Sequence, residues 1–408
     1  MSDSSSEALS SSLSSSELLS SETGAEAGAS RFNPPESSTE TQNRTNRNMD
    51  VLSRLVFGGY AGDFATLSAS GEEFYAELEY VAKLNSEELR DFASLANENH
   101  VLVRGLQVLE RVAIKTGNER ISEWCQEALT AERNRAQHAA SVLAPICSVL
   151  ESAGAKVAVI KSLDHWPDLG SDLDLYTTGS PRTVRQVMRK KFGAEEEARS
   201  WGDLLAHKWN FKVPGLPESV EIHVRNLGQT GEQTILAQRV IARRSKKSIH
   251  GLAFYVPAPE ERVLISTLQR MYRHFYFRLC DMADFAMLLR NNAIDFVELR
   301  SAAMAGRIWP GVANFLLLVS EYAKQYGSPV RISHEVLAAA PFPEMRVQVG
   351  GDFLRIPKGP AAGLYRSQLV GAGIHGDLRA ALRLSMLPPL AVSAFVAYHI
   401  TGSDKGVW

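Results

Sequence analysis

The sequence predicts an α+β protein, in which a small mixed β-sheet with its own helices is flanked by N-terminal and C-terminal helical regions. Apolar residues recur at helical spacing up to about residue 153 and again from residue 259 onward. Between these regions lie short runs that are β-branched or alternate polar with apolar residues, as strands do. The 408 residues, 45% of them hydrophobic, are enough for two or three packed units.

The N-terminal part divides into two segments of different composition. Residues 1–48 are rich in serine, glutamate, threonine and asparagine, so they bury too little apolar surface to offset the entropy of ordering, and we expect a disordered tail. Residues 49–153 form a predicted helical region. Its last helix is expected from Ile121 to near Ser152, because an apolar stripe ends there just before Gly154, a natural helix stop.

Residues 154–258 are predicted to hold the sheet. The runs that predict strands are Lys156–Lys161, Asp172–Thr177, His207–Val213, Ser219–Val224 and Ser248–Val256. The third and fourth runs are joined by a turn-rich segment, which predicts a hairpin, and Arg182–Phe192 has helical spacing. From Pro259 the helical pattern returns almost to the chain end, so residues 259–408 are predicted to be a C-terminal helical region.

Composition and charge limit the partners and the compartment. The 44 basic and 46 acidic residues give a net charge of -2. The chain therefore lacks the excess of positive charge that binds a nucleic-acid backbone, and a nucleic acid is disfavoured as a partner. Three cysteines without CxxC spacing fit a reducing cytoplasm. The sequence has no apolar run long enough for a transmembrane segment or a secretory signal, and the apolar stretch 387–400 favours a buried or interface helix over membrane-surface attachment.

Two aspartates mark the most informative strand. Asp172 and Asp174 are separated by one apolar residue, so both side chains project from the same face of the predicted strand. Like charges held about 7 Å apart disfavour joint ionisation unless a cation lies between them. Carboxylate oxygens suit Mg²⁺ or Mn²⁺, which promote displacement at phosphorus. This strand therefore predicts a divalent metal site.

A further strand offers a third carboxylate. In the run 219–224, valine and isoleucine alternate with Glu221 and His223, which share the outward face. If this strand neighbours the first, Glu221 is expected to coordinate the metal and help remove a proton from an attacking hydroxyl, and His223 to orient that hydroxyl or contact a phosphate.

The segment 171–175, Ser-Asp-Leu-Asp-Leu, resembles the catalytic strand of the DNA polymerase β-like nucleotidyltransferase superfamily. More narrowly, residues 120–300 resemble an uncharacterised bacterial nucleotidyltransferase family. The resemblance implies that Asp172, Asp174 and Glu221 are catalytic metal ligands. The third acid is a glutamate here, where aspartate is commoner.

The turn after the first strand is expected to bind the phosphates of the nucleotide. Where the family has lysine and glycine, this chain has Lys161 and Ser162, so the backbone amides lose the close approach that glycine permits. We expect Lys161 to contribute a point charge, Ser162 a hydroxyl donor, and Gly170, beside Ser171, some loop flexibility.

Arg270 and His274 lie one helical turn apart and are predicted to face the phosphates. Arg278 is instead expected to pair with Asp281 or Asp284 on a solvated surface, which is the commoner fate of such charges. Asp164, His165 and Asp168 precede the aspartate strand and resemble a metal site, but loop polar residues are more often exposed.

These features predict a magnesium- or manganese-dependent nucleotidyltransferase. It would move a nucleoside monophosphate from a triphosphate, ATP among the candidates, to a hydroxyl on a small molecule, a sugar or a protein. The alternative is a catalytically inactive binding or scaffold protein that kept the fold. The catalytic interpretation requires Asp172, Asp174 and Glu221 to converge.

Overall fold

The computed structural model describes residues 38–59, 72–228 and 230–401. Most of the strands lie in the middle of the chain. The helices are α1 (Ser38–Gly58), α2 (Tyr75–Ala82), α3 (Ser86–Glu98), α4 (Leu102–Thr116), α5 (Glu119–Ser152), α6 (Pro181–Phe192), α7 (Trp201–Ala206), α8 (Thr234–Ala242), α9 (Pro259–Gln269), α10 (Leu279–Arg290), α11 (Phe296–Ala305), α12 (Trp309–Gln325), α13 (His334–Ala339), α14 (Lys358–Ile374), α15 (Leu378–Ser385) and α16 (Leu387–Thr401). The strands are β1 (Val157–Val159), β2 (Asp172–Thr177), β3 (Glu195–Glu196), β4 (Lys208–Lys212), β5 (Ser219–Val224), β6 (Ser245–Ile249), β7 (Leu252–Val256), β8 (Tyr276–Phe277), β9 (Gln348–Gly350) and β10 (Phe353–Arg355).

The central sheet is mixed, as predicted, which confirms the α+β fold class. Its strand order is β1-β2-β5-β4-β3. The pair β2 and β5 is parallel, while β1 pairs antiparallel with β2, and β4 pairs antiparallel with both β5 and β3. The predicted hairpin is therefore β4 and β5. Because β2 and β5 run in the same direction, their functional side chains meet at the same end of the sheet.

Helix α5 connects two separate hydrophobic cores. Its N-terminal half contributes Ile121, Cys125 and Leu129 to a helical core. Its C-terminal half, with Ala136 and Leu150 among its buried residues, packs in the core of the sheet. At about 1.5 Å per residue, its 34 residues span about 50 Å, long enough to serve both.

The N-terminal and C-terminal helical regions share one core. Leu52 on α1, Leu106 on α4, Phe285 on α10 and Phe315 on α12 are all fully buried in the same cluster. The two regions, which the sequence presents as separate segments, therefore form a single helical body, and the sheet is inserted between them in the chain. No helix of the described residues is long and apolar enough to cross a membrane.

Three predictions about the elements need correction. Helix α1 begins at Ser38, so the predicted disordered tail of residues 1–48 ends too late; its first 37 residues lie outside the described part of the chain. Polar residues in this first part of α1 make contacts after all, since Arg44 donates to Glu88 on α3 at 3.3 Å. The strand expected at 248–256 is a β6–β7 hairpin that turns at His250 and Gly251. The C-terminal region also contains a small sheet of β8, β10 and β9.

A buried ion network ties the helical body to the loop before β2. The side chain of Arg104 on α4 is inaccessible to solvent and donates to Asp168 at 2.8 Å and to Asp284 at 2.7 Å. Asp168 also accepts a bond from the amide of Val103 at 2.6 Å, and Asp284 contacts His165 at 2.5 Å. One guanidinium thus bonds to two carboxylates from distant parts of the chain.

Replacing Arg104 with methionine is expected to lower the free energy of unfolding by about 3 to 5 kcal/mol, because two buried carboxylates lose their counter-charge. Urea denaturation measures the change. Arg300→Met is the matched control, since the Arg300–Glu335 pair is half exposed at 3.3 Å and its loss should cost less than about 1 kcal/mol. Equal costs for the two variants would contradict a structural role for the network.

Candidate active site

Strand register brings the predicted acids together. In the parallel pair, Asp174 on β2 lies opposite Glu221 on β5, and Asp172 lies opposite Ser219. Since side chains alternate along a strand, Asp172, Asp174 and Glu221 project from the same face of the sheet. The apolar neighbours Leu173 and Ile222 are buried on the other face, in the sheet core. The alternation that predicted the site is therefore present in the fold.

The closest convergence involves Asp174, Glu221 and His223. One potential ligand atom from each lies within 4.8 Å of the others. His223 Nε2 is 2.8 Å from Glu221 Oε1 and 3.7 Å from Asp174 Oδ1. Asp172 is outside this group of three but lines the same cavity. His223, expected to orient a hydroxyl or touch a phosphate, is thus placed among the possible metal ligands.

Two lysines neutralise the carboxylates from either side. Lys161 Nζ is 2.6 Å from Asp174 Oδ1, and Lys208 Nζ is 2.8 Å from both Glu221 Oε2 and Asp203 Oδ1. Burial alone would lower the pKa of Lys208, but the carboxylates of Glu221 and Asp203 outweigh it and raise that pKa. Lys208 was not predicted, although its alternation with Asn210 and Lys212 on β4 places it on the polar face.

Glu221 is ionised in this environment. Burial favours its neutral form, yet the hydrogen bond from His223 and the charge of Lys208 hold the pKa of Glu221 well below its usual range. Because an ionised carboxylate only accepts, Nε2 of His223 carries the proton in this contact. The site therefore presents a fixed negative charge at the end of β5.

Asp172 behaves differently from its neighbour in sequence. Burial first, and then repulsion by Asp174 and Glu221, raise the pKa of Asp172 to about 6. Lys161 and Lys208 oppose this shift only in part. At neutral pH, Asp172 is thus ionised and repelled by the neighbouring carboxylates, and a bound cation would offset this repulsion.

The turn after β1 is held in place by Ser162. Lys161 adopts φ of 61°, the left-handed conformation that glycine takes without strain. The hydroxyl of Ser162 donates to the carbonyl of Asp172 at 3.1 Å and accepts from the amide of Asp174 at 2.8 Å. The hydroxyl proton of Ser162 is therefore donated to β2 and not, as predicted, to a phosphate. Ser162 instead positions the start of β2.

Gly170 also has a different role from the one predicted. A Cβ atom at this position would lie 2.8 Å from the ring of His100, so a larger residue would collide with that histidine. The carbonyl of Gly170 accepts from Arg135 at 3.2 Å, which fixes the loop rather than loosening it. Gly170 and Ser171 both line the cavity, as expected of cofactor-binding positions.

The helix predicted around Arg270 is interrupted at the site. Helix α9 continues into a π-helical turn, Arg270–His274, which ends at Phe275 with φ of 59°. Such wide turns are frequent at functional sites. The turn brings Arg270 and His274 into the cavity together with Arg273. Burial and the neighbouring charge of Arg273 lower the pKa of His274 well below its usual value, so its imidazole is neutral.

Arg278 and the loop acids differ from their predictions. Arg278 lines the cavity instead of a solvated surface, because Asp281 pairs with Arg270 at 2.7 Å and Asp284 pairs with Arg104. His165 and Asp168 in the loop before β2 are buried, not exposed, because they join the Arg104 network. Their partners come from α4 and α10, which no local pattern in the sequence connects to this loop.

These residues enclose a cavity of about 230 Å³ between the sheet and the helical body. Acidic residues lie on the sheet side, and cationic residues of the π-helical turn and the start of α10 lie opposite. The cations in its wall are Lys161, Lys208, Arg270, Arg273 and Arg278. A cavity whose wall holds both carboxylates and five cationic side chains suits a ligand that carries phosphates and is accompanied by a metal ion.

Residues 85–324 match the family described as "Uncharacterised nucleotidyltransferase". This match covers more than half of the chain and includes the whole central sheet with the residues of the cavity. The chain belongs to this family. The matched segment is wider than the 120–300 stretch expected from the resemblance, because it also takes in α3, α4 and α12 of the helical body. No curated protein matches the chain.

A solved structure is similar to part of this family member. It is described as an antigenic nucleotidyltransferase-like protein from Paracoccidioides brasiliensis, with 16% sequence identity and a TM-score of 0.29. The similarity covers 48% of this chain and 94% of that chain.

The Asp172→Asn variant is expected to be more stable than the wild type at pH 8 without divalent metal, by about 1 kcal/mol after allowance for solvent screening. The pKa of Asp172 is raised on folding, so its ionised form destabilises the folded state, and the advantage of the variant should vanish as pH falls through 6 towards 4. Urea denaturation across this pH range measures it.

Asp352→Asn is the matched control, because Asp352 is exposed in the turn between β9 and β10. It should change stability little at any pH in the range. A stability difference for Asp172→Asn that does not depend on pH would contradict the electrostatic explanation.

Proposed function

We propose that this nucleotidyltransferase family member is a metal-dependent enzyme that moves a nucleoside monophosphate from a nucleoside triphosphate to a hydroxyl acceptor. The observation that carries the proposal is the register of β2 with β5, which sets Asp174 opposite Glu221 and beside Asp172 on the polar face of the sheet. Catalytic acids of this class act as a cluster, so convergence from two strands is the arrangement that the reaction needs.

The donor set fits Mg²⁺ or Mn²⁺. The carboxylates of Asp172, Asp174 and Glu221 are hard oxygen ligands, and His223, whose Nε2 donates to Glu221, holds that carboxylate in place. When bound, such an ion supplies electrostatic stabilisation for charge that develops on phosphate oxygens. The raised pKa of Asp172 supports the fit, since three carboxylates in one site call for more positive charge than the two lysines provide.

Residues of the chain itself would bind the rest of the donor. Arg270 is buried, and its Nη1 has no hydrogen-bond partner among the described residues, so it retains donor capacity towards the cavity. Arg278 lies on the same wall. Guanidinium groups bind phosphate oxygens with directed hydrogen bonds, so this wall is suited to the β- and γ-phosphates. The proposed acceptor hydroxyl belongs to a small molecule, a sugar or another protein. The enzyme itself is proposed to act in the cytoplasm.

The acceptor hydroxyl must lose a proton during the reaction. Glu221 is ionised and lies in the cavity wall, and it is the best placed group to take that proton or to orient the hydroxyl. His274 is neutral and can accept a hydrogen bond from the substrate. Lys161 and Lys208 form ion pairs with Asp174 and Glu221 and so reduce the repulsion among the carboxylates.

A second candidate is a nucleotide-binding or scaffold protein without catalytic activity. One observation favours it: Lys161 and Lys208 already form direct ion pairs with Asp174 and Glu221, and so neutralise both carboxylates without a metal. In such a protein the ammonium groups would replace the ion permanently. The two candidates differ in whether nucleotide binding requires a divalent cation.

Calorimetric titration of ATP, GTP, CTP and UTP into the full chain, with and without Mg²⁺, tests the proposal. We expect one nucleotide to bind only with the metal, and Asp174→Asn to weaken that binding by about 1000-fold, or about 4 kcal/mol. Asp352→Asn is the control and should bind as the wild type does. Binding that needs no metal and survives Asp174→Asn would favour the inactive nucleotide-binding protein, and absence of all binding would contradict the enzyme and favour the scaffold.

Activity is then measured with the bound nucleotide labelled at its α-phosphate or its γ-phosphate. Nucleotidyl transfer places the α-label, and not the γ-label, on the acceptor and releases pyrophosphate. Candidate acceptors of the three classes are supplied in turn. Transfer of the γ-label would show a kinase reaction and contradict the proposal.

A further inference from the structure

A second cluster of potential metal ligands borders the same cavity, and two of its three residues line the cavity wall. It consists of His100 between α3 and α4, His165 in the loop before β2, and Cys280 on α10. One ligand atom from each lies within 4.8 Å of the others, and all three residues are buried. The three segments are far apart in sequence, so no local pattern joins them.

We propose that His100, His165 and Cys280 bind a zinc ion whose fourth coordination position faces the cavity. The donor types support this, since thiolate and imidazole ligands select zinc, whereas Mg²⁺ prefers oxygen. Two histidines with one cysteine, plus an open position, is a ligand count typical of zinc sites that bind a substrate or water. The proposal concerns metal binding and does not depend on nucleotidyl transfer.

The distances suit a tetrahedral ion. Cys280 Sγ is 3.8 Å from His165 Nε2. A sulfur and a nitrogen bound to one zinc at tetrahedral angles are separated by about 3.5 Å, so a shift of a few tenths of an ångström is sufficient. A simple hydrogen bond from the thiol explains this contact but not the approach of a second imidazole.

His165 is oriented as a zinc ligand needs to be. Its Nδ1 lies 2.5 Å from Asp284 Oδ2, which leaves Nε2 directed at Cys280. Metal-bound histidines usually donate their other ring nitrogen to a carboxylate, which fixes the ring and raises its basicity. Asp284 is itself held by Arg104 at 2.7 Å. The buried network described above therefore supplies the outer shell of this site.

His100 has an unsatisfied atom at the cluster. Its Nδ1 is buried and has no hydrogen-bond partner among the residues that the structure describes. The ring lies 5.2 Å from that of His165, and the small size of Gly170 allows it to sit there. Burial of a ring nitrogen without a partner costs free energy. A bound ion would offset this cost by accepting one ring nitrogen of His100 as a ligand.

The surrounding charges permit an ion. Two of the guanidinium groups nearby are paired with carboxylates, Arg104 with Asp168 and Asp284, and Arg270 with Asp281. Burial and the charge of Arg278 lower the pKa of His100, so its imidazole is neutral, as a metal ligand must be. His100 and His165 both line the cavity, whereas Cys280 does not. The thiol is therefore shielded from solvent, and the open position is on the histidine side, where a water or an oxygen of the bound molecule can reach it.

Metal analysis of the full chain, purified with added zinc and then dialysed, tests the proposal. We expect about one zinc per chain in the wild type and in Asp174→Asn, and a loss of most of it in Cys280→Ser. Cys147→Ser, which alters another buried thiol, is the matched control and should keep the metal. Equal zinc in Cys280→Ser and wild type, or loss in Asp174→Asn instead, would overturn the site.

Cobalt substitution gives a readout that needs no variant and so does not depend on the folding of Cys280→Ser. Cobalt bound by a thiolate has a charge-transfer band in the near ultraviolet and intense visible bands when tetrahedral. Both are expected in the wild type, and cyanide should shift the visible bands by entering the open position. A cobalt-loaded chain without the thiolate band would overturn the ligand set, and visible bands unchanged by cyanide would overturn the open position.

Discussion

The parallel pairing of β2 with β5 forces like charges together, and much of the structure around the site compensates for this. Asp172, Asp174 and Glu221 share one polar face of the sheet, because the strand register sets Asp174 opposite Glu221 and side chains alternate along β2. Lys161 and Lys208 reach the carboxylates from two other segments, and His223 donates to Glu221. The raised pKa of Asp172 shows that the compensation is incomplete. A site built in this way attracts cations.

The helical body completes the cavity that the sheet begins. Helix α5 packs in both cores, so it fixes the orientation of the sheet relative to the helices. Arg104 adds a polar connection, since it binds Asp168 before β2 and Asp284 on α10. Between these contacts, the π-helical turn directs Arg270 and His274 towards the carboxylates. The cavity therefore depends on packing between units that are distant in sequence.

The two proposed metal sites divide the cavity by ligand chemistry. The end of the sheet offers carboxylate oxygens, which suit Mg²⁺, whereas His100, His165 and Cys280 offer nitrogen and sulfur, which suit zinc. Both ligand groups contribute residues to a cavity lined with arginines, which would allow two ions to act on one polyanionic substrate. The Arg104 network connects the two groups, because it supports the loop that carries His165 and leads directly into β2.

Local sequence patterns were sufficient to predict strands β1, β2, β4 and β5, the long helix α5 and the shared face of the three acids, because hydrophobic periodicity depends only on neighbours along the chain. The same periodicity could not show that α1 begins at Ser38, since the first part of α1 is polar and its contacts come from α3. Nor could it show Lys208 opposite the acids, the π-helical turn, the hydroxyl of Ser162 bonded to β2, or the burial of His165. Each of these is decided by an electrostatic or packing partner from another segment, and only the tertiary structure brings such partners within reach.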